Sequence, residues 1–221
     1  LKSEFVSIVS HDLRTPLATI HGFGEVLVRS LDGESRECAQ QICTQARQMS
    51  RLVEELLDLA KIEAGVETVR VSCSIADLIS EALAAGSFPA STAGVALQAD
   101  VAPSLPQVRG NPVRLRQVLD NLLSNALKYT PSGGRIAVRA WTRGGQVIVT
   151  VQDSGPGIPR ENLPRLFEKF YRVPSQEGRS AGAGLGLAIV KAVIEQHGGQ
   201  VWVESEVGQG STFGFSLPVE T

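Results

Sequence analysis

The stretch His11-Asp12-Leu13-Arg14-Thr15-Pro16-Leu17 lies in the middle of the apolar repeat that decides the fold of the N-terminal part of the chain. On both sides of it, apolar residues recur at i, i+3, i+4 and i+7, which is the pattern of a core-facing helix. They are Phe5, Ile8, Val9, Leu17, Ile20, Phe23, Leu27, Val28 and Leu31. Pro16 removes a backbone hydrogen bond from this helix and is expected to bend it. The pattern predicts a helix over residues 1–31.

A second apolar stripe predicts another long helix over residues 35–64. Its members are Ile42, Ala46, Met49, Leu52, Val53, Leu56, Leu57, Ala60 and Ile62. In the turn between the helices, Gly33 is expected to end the first helix and Ser35 to cap the second. Because one hairpin cannot cover both stripes, we expect two chains to close a dimeric four-helix bundle, so that the protein is a homodimer.

From residue 69 onward, short strands and helices replace the long helices. Strands are predicted at 69–71, 95–101, 136–141, 147–151, 201–204 and 212–217, and helices at 75–85, 112–128 and 185–197. Residues 86–94 are rich in Ala, Gly, Ser and Pro and are predicted to form a loop. The expected fold class is a helical hairpin forming a dimeric four-helix bundle, followed by an α+β sandwich with a mixed sheet. The domain boundary is expected between residues 1–66 and 67–221.

The composition is that of a soluble globular protein. Of 221 residues, 43% are hydrophobic and 20% are charged, and the net charge of −2 gives no basic footprint for nucleic acid. No apolar run in the sequence is long enough to span a membrane. Three cysteines without metal-ligand spacing favour a reducing, cytoplasmic setting. Because the chain opens inside a helical pattern without Met, we expect a fragment whose parent reaches a membrane only through an upstream segment, if at all.

His11 is a candidate nucleophile. A neutral imidazole nitrogen can attack phosphorus near neutral pH, and Asp12 could hold the required tautomer or take up charge. Thr15 lies one helical turn from His11 on the same face. The alternative for His11 alone is an ordinary polar residue of a bundle helix. Of the other histidines, His21 is expected to be solvated or to face the dimer partner, and His197 to suit a helix C-terminus as a cation.

The first cluster beyond the bundle is the polar stripe of Asn121, Asn125 and Lys128 on a helix that otherwise forms core. Amide oxygens are hard ligands suited to Mg²⁺, and lysine is suited to phosphate. The alternative is a solvated helix face.

The second cluster is Asp153-Ser154-Gly155-Pro156-Gly157-Ile158, directly after a predicted strand. A carboxylate at a strand end can accept a hydrogen bond from an exocyclic amine such as that of adenine. The glycines would let the backbone come close to a flat ligand. The alternative is an ordinary tight turn.

The third cluster, Gly182-Ala183-Gly184-Leu185-Gly186-Leu187, runs into a helix. Backbone donors and the helix dipole at such a start favour phosphate. A Rossmann turn does not fit, because no predicted strand precedes the cluster, and no Gly-Lys-Ser/Thr follows to make a P-loop. The alternative is a flexible loop that meets a helix.

The fourth cluster is Leu166-Phe167-Glu168-Lys169-Phe170-Tyr171-Arg172, with Arg179 downstream. It lies in residues 153–183, a long irregular stretch of the kind that forms lids. Aromatic residues there could dock on the core when ligand binds, and an arginine could reach phosphate. The alternative is a minor surface helix with a basic end.

In this order, behind the His11 helix, the four clusters resemble the catalytic core of a two-component sensor histidine kinase. Residues 1–66 resemble its dimerisation and histidine phosphotransfer domain, and residues 70–218 resemble its ATP-binding domain of the GHKL (Bergerat) type. The resemblance covers essentially the whole chain. It implies ATP and Mg²⁺ as cofactors and the receiver domain of a response regulator as partner.

For the phosphotransfer domain, the resemblance implies that His11 accepts the γ-phosphoryl group of ATP, with Asp12 as its acid–base partner. The phosphoryl group would then pass to an Asp of the response regulator. Thr15 would orient a water molecule when the kinase dephosphorylates that regulator.

For the ATP-binding domain, the resemblance implies that Asn125 ligates Mg²⁺, with Asn121 supporting the ion or the phosphates. Asp153 would bind the adenine amino group. The remaining nucleotide contacts would come from Lys128, Tyr129, Gly155, Gly157, Arg172, Gly182, Gly184, Leu185, Gly186 and Thr212.

Two other functions compete with a histidine kinase. A GHKL ATPase that performs mechanical work would need further domains downstream and would not explain the His11 helix. A degenerate kinase that only docks or dephosphorylates a regulator would have a damaged nucleotide site, whereas Asn125, Asp153 and the glycines are intact.

Overall fold

The computed structural model describes residues 2–65, 69–173 and 184–220, and for residues 2–15 it describes the backbone alone. The chain divides into two compact units. The helical unit consists of α1 (Lys2–Ser30) and α2 (Gly33–Glu63), and the α/β unit holds all the other helices and strands. Among the described residues, none of the helices combines the length and the apolar content that crossing a bilayer requires.

The helical unit is the hairpin that the two apolar stripes predict. Among the side chains that are described, the buried ones come from both helices and are Leu17, Ala39, Cys43, Ala46, Leu57, Leu59 and Ile62. Gly24 lets the helices approach closely, since a Cβ atom there would lie 2.6 Å from the Cys43 sulfur.

The turn of the hairpin differs from the prediction. Gly33 does not end α1; it is the first residue of α2, and its φ of +59° explains the need for glycine. Asp32 rather than Ser35 is the N-cap, and its side chain makes no capping hydrogen bond. A shorter connection than predicted therefore joins the two helices.

The helical unit leaves large apolar side chains exposed. Phe23 is 68% exposed and Met49 53%, and Ile20, Val26, Leu27, Ile42 and Leu56 are also exposed. A groove of about 410 Å³ lies between the helices and is lined by Leu17, Ile20, Cys38, Gln41, Ile42, Gln45, Ala46 and Met49. One hairpin therefore leaves part of its apolar stripes uncovered, as the sequence predicts.

The α/β unit is built on a mixed five-stranded sheet of order β2-β4-β5-β7-β6. Only β2 and β4 pair in parallel within that sheet; its other pairs are antiparallel. Its strands are β2 (Ala96–Val101), β4 (Arg135–Arg143), β5 (Gln146–Asp153), β6 (Gln200–Glu206) and β7 (Gly210–Pro218). Two short strands that form a separate antiparallel pair are β1 (Val71–Cys73) and β3 (Val108–Gly110). The prediction of a mixed sheet is confirmed, whereas the short β3 was not predicted.

The helices of this unit are α3 (Ile75–Ala93), α4 (Pro112–Tyr129) and α5 (Gly186–Gln196), with a 3₁₀ helix at Arg160–Arg165. Alternate sheet residues such as Val147, Val149 and Val151 are buried, as in a sheet packed against helices. Asn111 caps the start of α4, because its Oδ1 accepts a hydrogen bond from the Arg114 backbone N–H at 3.0 Å. The apolar face of α4 is buried and consists of Leu115, Val118, Leu119, Leu122, Leu123 and Ala126.

Helix α3 is longer than predicted. Residues 86–94, expected to be a loop, continue the helix to Ala93, and Gly94 ends it with a φ of +67°. Gly86 lies within the helix and close to Leu97 of β2, where a Cβ atom would make an ordinary contact at 3.6 Å. Pro89 lies inside the helix and removes one backbone hydrogen bond, and Ala90 beside it is buried.

Candidate active site

Asp153 is a buried hydrogen-bond acceptor at the end of β5. It pairs with Ile136 of β4 on one side and with Ser211 of β7 on the other. The Gly155 backbone N–H donates to Asp153 Oδ1 at 2.8 Å. Burial raises the pKa of the Asp153 carboxyl above its ordinary value, while hydrogen bonds from the Gly155 and Ser211 backbones oppose that rise. The site therefore contains one desolvated carboxyl group, which a polar hydrogen of a ligand could satisfy.

The glycine turn, residues 154–158, packs against two other parts of the unit. A Cβ atom at Gly155 would lie 2.9 Å from the Tyr129 carbonyl oxygen. Gly157 has a φ of +71°, and a Cβ atom there would lie 2.0 Å from the Glu206 carbonyl oxygen. These glycines were interpreted as room for a flat ligand. In the structure they first make room for neighbouring backbone.

Helix α4 presents its polar residues at intervals of about one turn. Asn121, Asn125 and Tyr129 are half-buried, and Lys128 is exposed. The Lys128 ammonium lies 5.1 Å from the centre of the Tyr129 ring, which is the distance of a cation–π contact. Two amides and an aromatic ring thus follow one edge of a helix whose opposite face is core.

The start of α5 lies beside α4. Gly184 has a φ of +73°, Leu185 is buried, and Gly186 is the first residue of the helix. A Cβ atom at Gly186 would lie 3.5 Å from Asn121 Oδ1. A helix start leaves its first backbone N–H groups without partners inside the helix, and the start of α5 is next to the first amide of α4. Gly182 lies outside the described residues, as does Arg179.

Helix α4 thus brings the separate clusters together. At Asn121 it meets the start of α5, and at Tyr129 it meets the glycine turn below Asp153. Asn125 lies one turn from each of these contacts. A buried acceptor, two amides and a helix N-terminus consequently border one region of the α/β unit.

Thr212 was predicted to lie near the bound nucleotide, but the strand register places its neighbour Ser211, rather than Thr212, beside Asp153. Ser211 is the residue opposite Asp153, and Thr212 is opposite Gln152. Because side chains alternate between the faces of a sheet, Thr212 points away from the side of the Asp153 carboxyl. The alternation of Phe213, Phe215 and Leu217, all buried, could have identified Ser211 from the sequence.

The segment around Tyr171 is held by side-chain contacts. The Tyr171 hydroxyl donates to Asn162 Oδ1 at 2.6 Å, and the Arg165 guanidinium lies 4.2 Å from its ring centre. Arg172 is half-buried in the coil that follows. Phe170 is 60% exposed and has a φ of +62°, an uncommon conformation for a bulky residue.

The residues around the candidate nucleophile lie on α1. His11, Asp12 and Thr15 are within its continuous helical backbone, and their side chains are outside the described part of the structure. His21 is half-buried, accepts a hydrogen bond from Arg47 Nε and lies 3.7 Å from Glu25. It is therefore tied to its own hairpin rather than fully solvated.

His197 is buried and neutral, which corrects the prediction of a cation at a helix end. Its Nε2 accepts from the Asn111 backbone N–H at 3.0 Å, so its Nδ1 carries the proton and donates to the Val193 carbonyl at 2.7 Å. Burial lowers the pKa of His197, and the nearby Arg70 charge lowers it further. His197 links the ends of α4 and α5 as an uncharged hydrogen-bonding group.

Two family models together match about four fifths of the chain. The "His Kinase A (phospho-acceptor) domain" matches residues 1–65, and the "Histidine kinase-, DNA gyrase B-, and HSP90-like ATPase" matches residues 110–221. This fold and site therefore define a class of protein in which an ATP-binding domain of the GHKL type follows a phospho-acceptor hairpin. The chain belongs to the sensor histidine kinase family, as a catalytic core of the GHKL type.

Individual relatives agree with this family. The chain is 41% identical over 227 residues to the sensor protein DivL of Caulobacter vibrioides, covering 99% of this chain and 28% of DivL. It is 37% identical to the alginate biosynthesis sensor protein KinB of Pseudomonas aeruginosa, covering 99% of this chain and 37% of KinB. The crystal structure of full-length ShkA in complex with AMPPNP superposes with a TM-score of 0.85 at 32% identity, covering 100% of this chain and 47% of ShkA. The chain therefore spans less than half the length of these relatives.

Proposed function

We propose that this chain uses ATP to phosphorylate His11 and then passes the phosphoryl group to an Asp of a response regulator. The observation that carries the proposal is the meeting of Asp153, the α4 amides and the start of α5 along one helix, in a chain whose other unit matches a phospho-acceptor domain. Phosphoryl transfer needs positioning and charge neutralisation more than covalent assistance, and these residues would supply the positioning. ShkA, a structural relative, has been crystallised with AMPPNP.

Within the α/β unit, Asp153 accepts a hydrogen bond from the adenine amino group. The buried carboxyl suits this role because a ligand amine offers it a partner that water cannot easily supply. Gly155 and Gly157 form the wall behind it. Tyr129 packs near the nucleotide.

The phosphates are held by backbone donors of the α5 start and by cations. Gly184, Leu185 and Gly186 lie at that start in the structure, and we include Gly182, which is outside the described residues. Lys128 and Arg172 neutralise phosphate charge. Asn125 would supply an amide oxygen to Mg²⁺, with Asn121 in support. Magnesium in such sites takes one or two protein ligands and fills its shell with phosphate and water oxygens, so one amide fits the ion.

In the helical unit, His11 attacks the γ-phosphorus and Asp12 serves as its acid–base partner. Thr15, one turn away, orients a water molecule for dephosphorylation of the response regulator. The receiver domain of that regulator is the partner that takes the phosphoryl group.

The functional form is a homodimer joined through the helical units. Support comes from the exposed apolar side chains and the groove between α1 and α2. Residues 1–66 then act as the dimerisation and phosphotransfer domain, and residues 67–221 as the ATP-binding domain. A reducing, cytoplasmic setting for this part of the protein accords with its three free thiols.

The test is incubation of the purified chain with Mg²⁺ and γ-labelled ATP beside the variants His11→Gln, Asn125→Ala and, as a matched control on the same helix, His21→Gln. We expect acid-labile, alkali-stable label on the parent and on His21→Gln, and a loss of at least about 100-fold in the other two variants. A parent that binds ATP but remains unlabelled would instead identify a docking or phosphatase module. Label that survives in His11→Gln would mean that another residue accepts the phosphoryl group.

A further inference from the structure

A row of polar side chains interrupts the buried face of the five-stranded sheet at its Asp153 end. Asp153 pairs with Ser211, and Ser211 pairs with Ser205, so the three residues lie side by side on β5, β7 and β6. Two residues further along the same strands, the row is Val151, Phe213 and Val203. Because side chains alternate along a strand, the polar and apolar rows face the same side, which the helices cover. The polar row therefore adjoins the proposed adenine site.

The Ser205 hydroxyl uses its full hydrogen-bonding capacity. It donates to the Gly210 carbonyl at 2.9 Å and accepts from the Ile158 backbone N–H at 2.8 Å. Ser211 Oγ lies 2.9 Å from Ser205 Oγ. A hydroxyl has one proton and two lone pairs, so the proton between the two serines belongs to Ser211. The Ser205 oxygen thus forms hydrogen bonds with three groups: the Gly210 carbonyl, the Ile158 backbone N–H and the Ser211 hydroxyl.

These bonds fix the far end of the glycine turn. At the near end of the turn, the Gly155 backbone N–H donates to Asp153. In the middle of the turn, the Pro156 carbonyl accepts a hydrogen bond from the Gly208 backbone N–H at 2.8 Å. Ser205 holds Ile158, at the other end, and through Gly210 it also holds the start of β7. A turn tied at both ends and in the middle keeps its shape before a ligand arrives, which lowers the free-energy cost of binding.

We propose that Ser205 is a positioning residue for the nucleotide: its hydroxyl holds the glycine turn and the start of β7 in the geometry that presents Asp153 to the adenine amino group. This inference rests on the proposed function, because it assigns Ser205 to the same nucleotide site. Ser205 acts through Ile158, Gly210 and Ser211 and does not itself touch the nucleotide. Ser211 contributes less, because Ser205 keeps both backbone bonds without it.

The test measures KM for ATP and kcat of autophosphorylation on the purified chain and on Ser205→Ala, Ser205→Thr and Ser211→Ala. Ser80→Ala is the matched control, since Ser80 bonds only its own helix at Ala76 among the described residues. Losing a buried hydrogen bond predicts a KM about 10-fold higher in Ser205→Ala, with kcat at saturating ATP within about 2-fold of the parent. Ser205→Thr keeps the hydroxyl and is expected within about 3-fold of the parent, and Ser211→Ala falls between the two.

A second readout separates positioning from general destabilisation. The preference for ATP over inosine triphosphate, which lacks the exocyclic amine, is expected to fall in Ser205→Ala and to return in Ser205→Thr. If Ser205→Ala is unfolded at the assay temperature, Ser205→Cys replaces it, because sulfur fills the space but accepts hydrogen bonds weakly.

An unchanged KM and an unchanged base preference in a folded Ser205→Ala chain would overturn the role of Ser205 while leaving the proposed function in place. Equal losses in Ser205→Ala and Ser205→Thr would also overturn it, because the hydroxyl would then be irrelevant. A parent chain that does not bind ATP would overturn the proposed function itself.

Discussion

At the scale of single residues, Asp153 and His197 are both buried in the α/β unit, for different reasons. Asp153 is a buried acceptor whose pKa is raised by burial, so its ionised form costs folding free energy at neutral pH. His197 is buried in its neutral form, and its two ring nitrogens complete hydrogen bonds between the ends of α4 and α5. We propose that the first arrangement serves a ligand, whereas the second serves the fold.

Replacing Asp153 with Asn should separate binding from stability. Asn keeps an oxygen for the Gly155 N–H but carries no charge, so the melting temperature without nucleotide is expected to rise at pH 7.5. In the folded parent, the pKa of Asp153 is raised above 3.8. The gain in stability of the Asn variant over the parent is therefore complete at pH values above that raised pKa, and it disappears as the pH falls below the raised pKa. The affinity for ATP, measured by calorimetry, is expected to fall at least 10-fold. A variant that is less stable yet binds ATP normally would contradict this account of Asp153.

Because His197 is buried in its neutral form, we expect the free energy of unfolding to depend on pH. Its folded pKa lies below the ordinary 6.5, so its contribution is complete above pH 6.5 and is lost as the pH falls toward the folded pKa. In that window the free energy of unfolding should decrease by about 1.4 kcal/mol per pH unit. Urea midpoints at pH 7.5, 6.5 and 5.5 test this against His197→Gln, whose curve should be flatter. Parallel curves for parent and variant would show that His197 is not the titrating group.

At the scale of elements, the apolar periods of α1, α2 and α4 predict helices that the structure contains to within two residues at each end. Two boundaries were wrong. In α3, a composition rich in Ala, Gly, Ser and Pro suggested a loop over residues 86–94, but the helix continues to Ala93. At the hairpin turn, Gly33 suggested a helix end, but its positive φ begins α2 instead. The pattern alone cannot show which use a glycine has.

The exposed apolar side chains of the helical unit predict self-association. Phe23→Glu places a charge on that face and is expected to weaken the dimer about 100-fold, as loss of a buried aromatic contact would. Phe88→Glu is the control, because Phe88 is 79% exposed but lies on α3 in the other unit. Light scattering across a concentration series measures the effect. Equal behaviour of the two variants, or a parent that is monomeric at all concentrations, would contradict the dimer.

At the scale of the whole molecule, the sequence predicts two parts of different architecture, and the structure contains a helical unit and an α/β unit. The residues of the nucleotide site were predicted as separate clusters. Their convergence on α4 could not be predicted, because it depends on tertiary contacts between Gly155 and Tyr129 and between Gly186 and Asn121. The alternation of buried residues along β7 could have identified Ser211 from the sequence. The hydrogen bond from the Ile158 backbone N–H to Ser205 could not be predicted in this way, because it joins residues 47 positions apart.

The most direct test of the central claim is to locate the phosphoryl group on the chain after reaction with Mg²⁺ and ATP. Peptides prepared and separated under alkaline conditions, which preserve phosphohistidine, would be mapped by mass spectrometry. We predict one phosphorylated peptide, with the added mass on His11, and its loss when an acceptor response regulator is supplied. A phosphoryl group on His21, on His197 or on a hydroxyl side chain, or an unmodified chain that nevertheless consumes ATP, would contradict the assignment of this protein as a His11 autokinase.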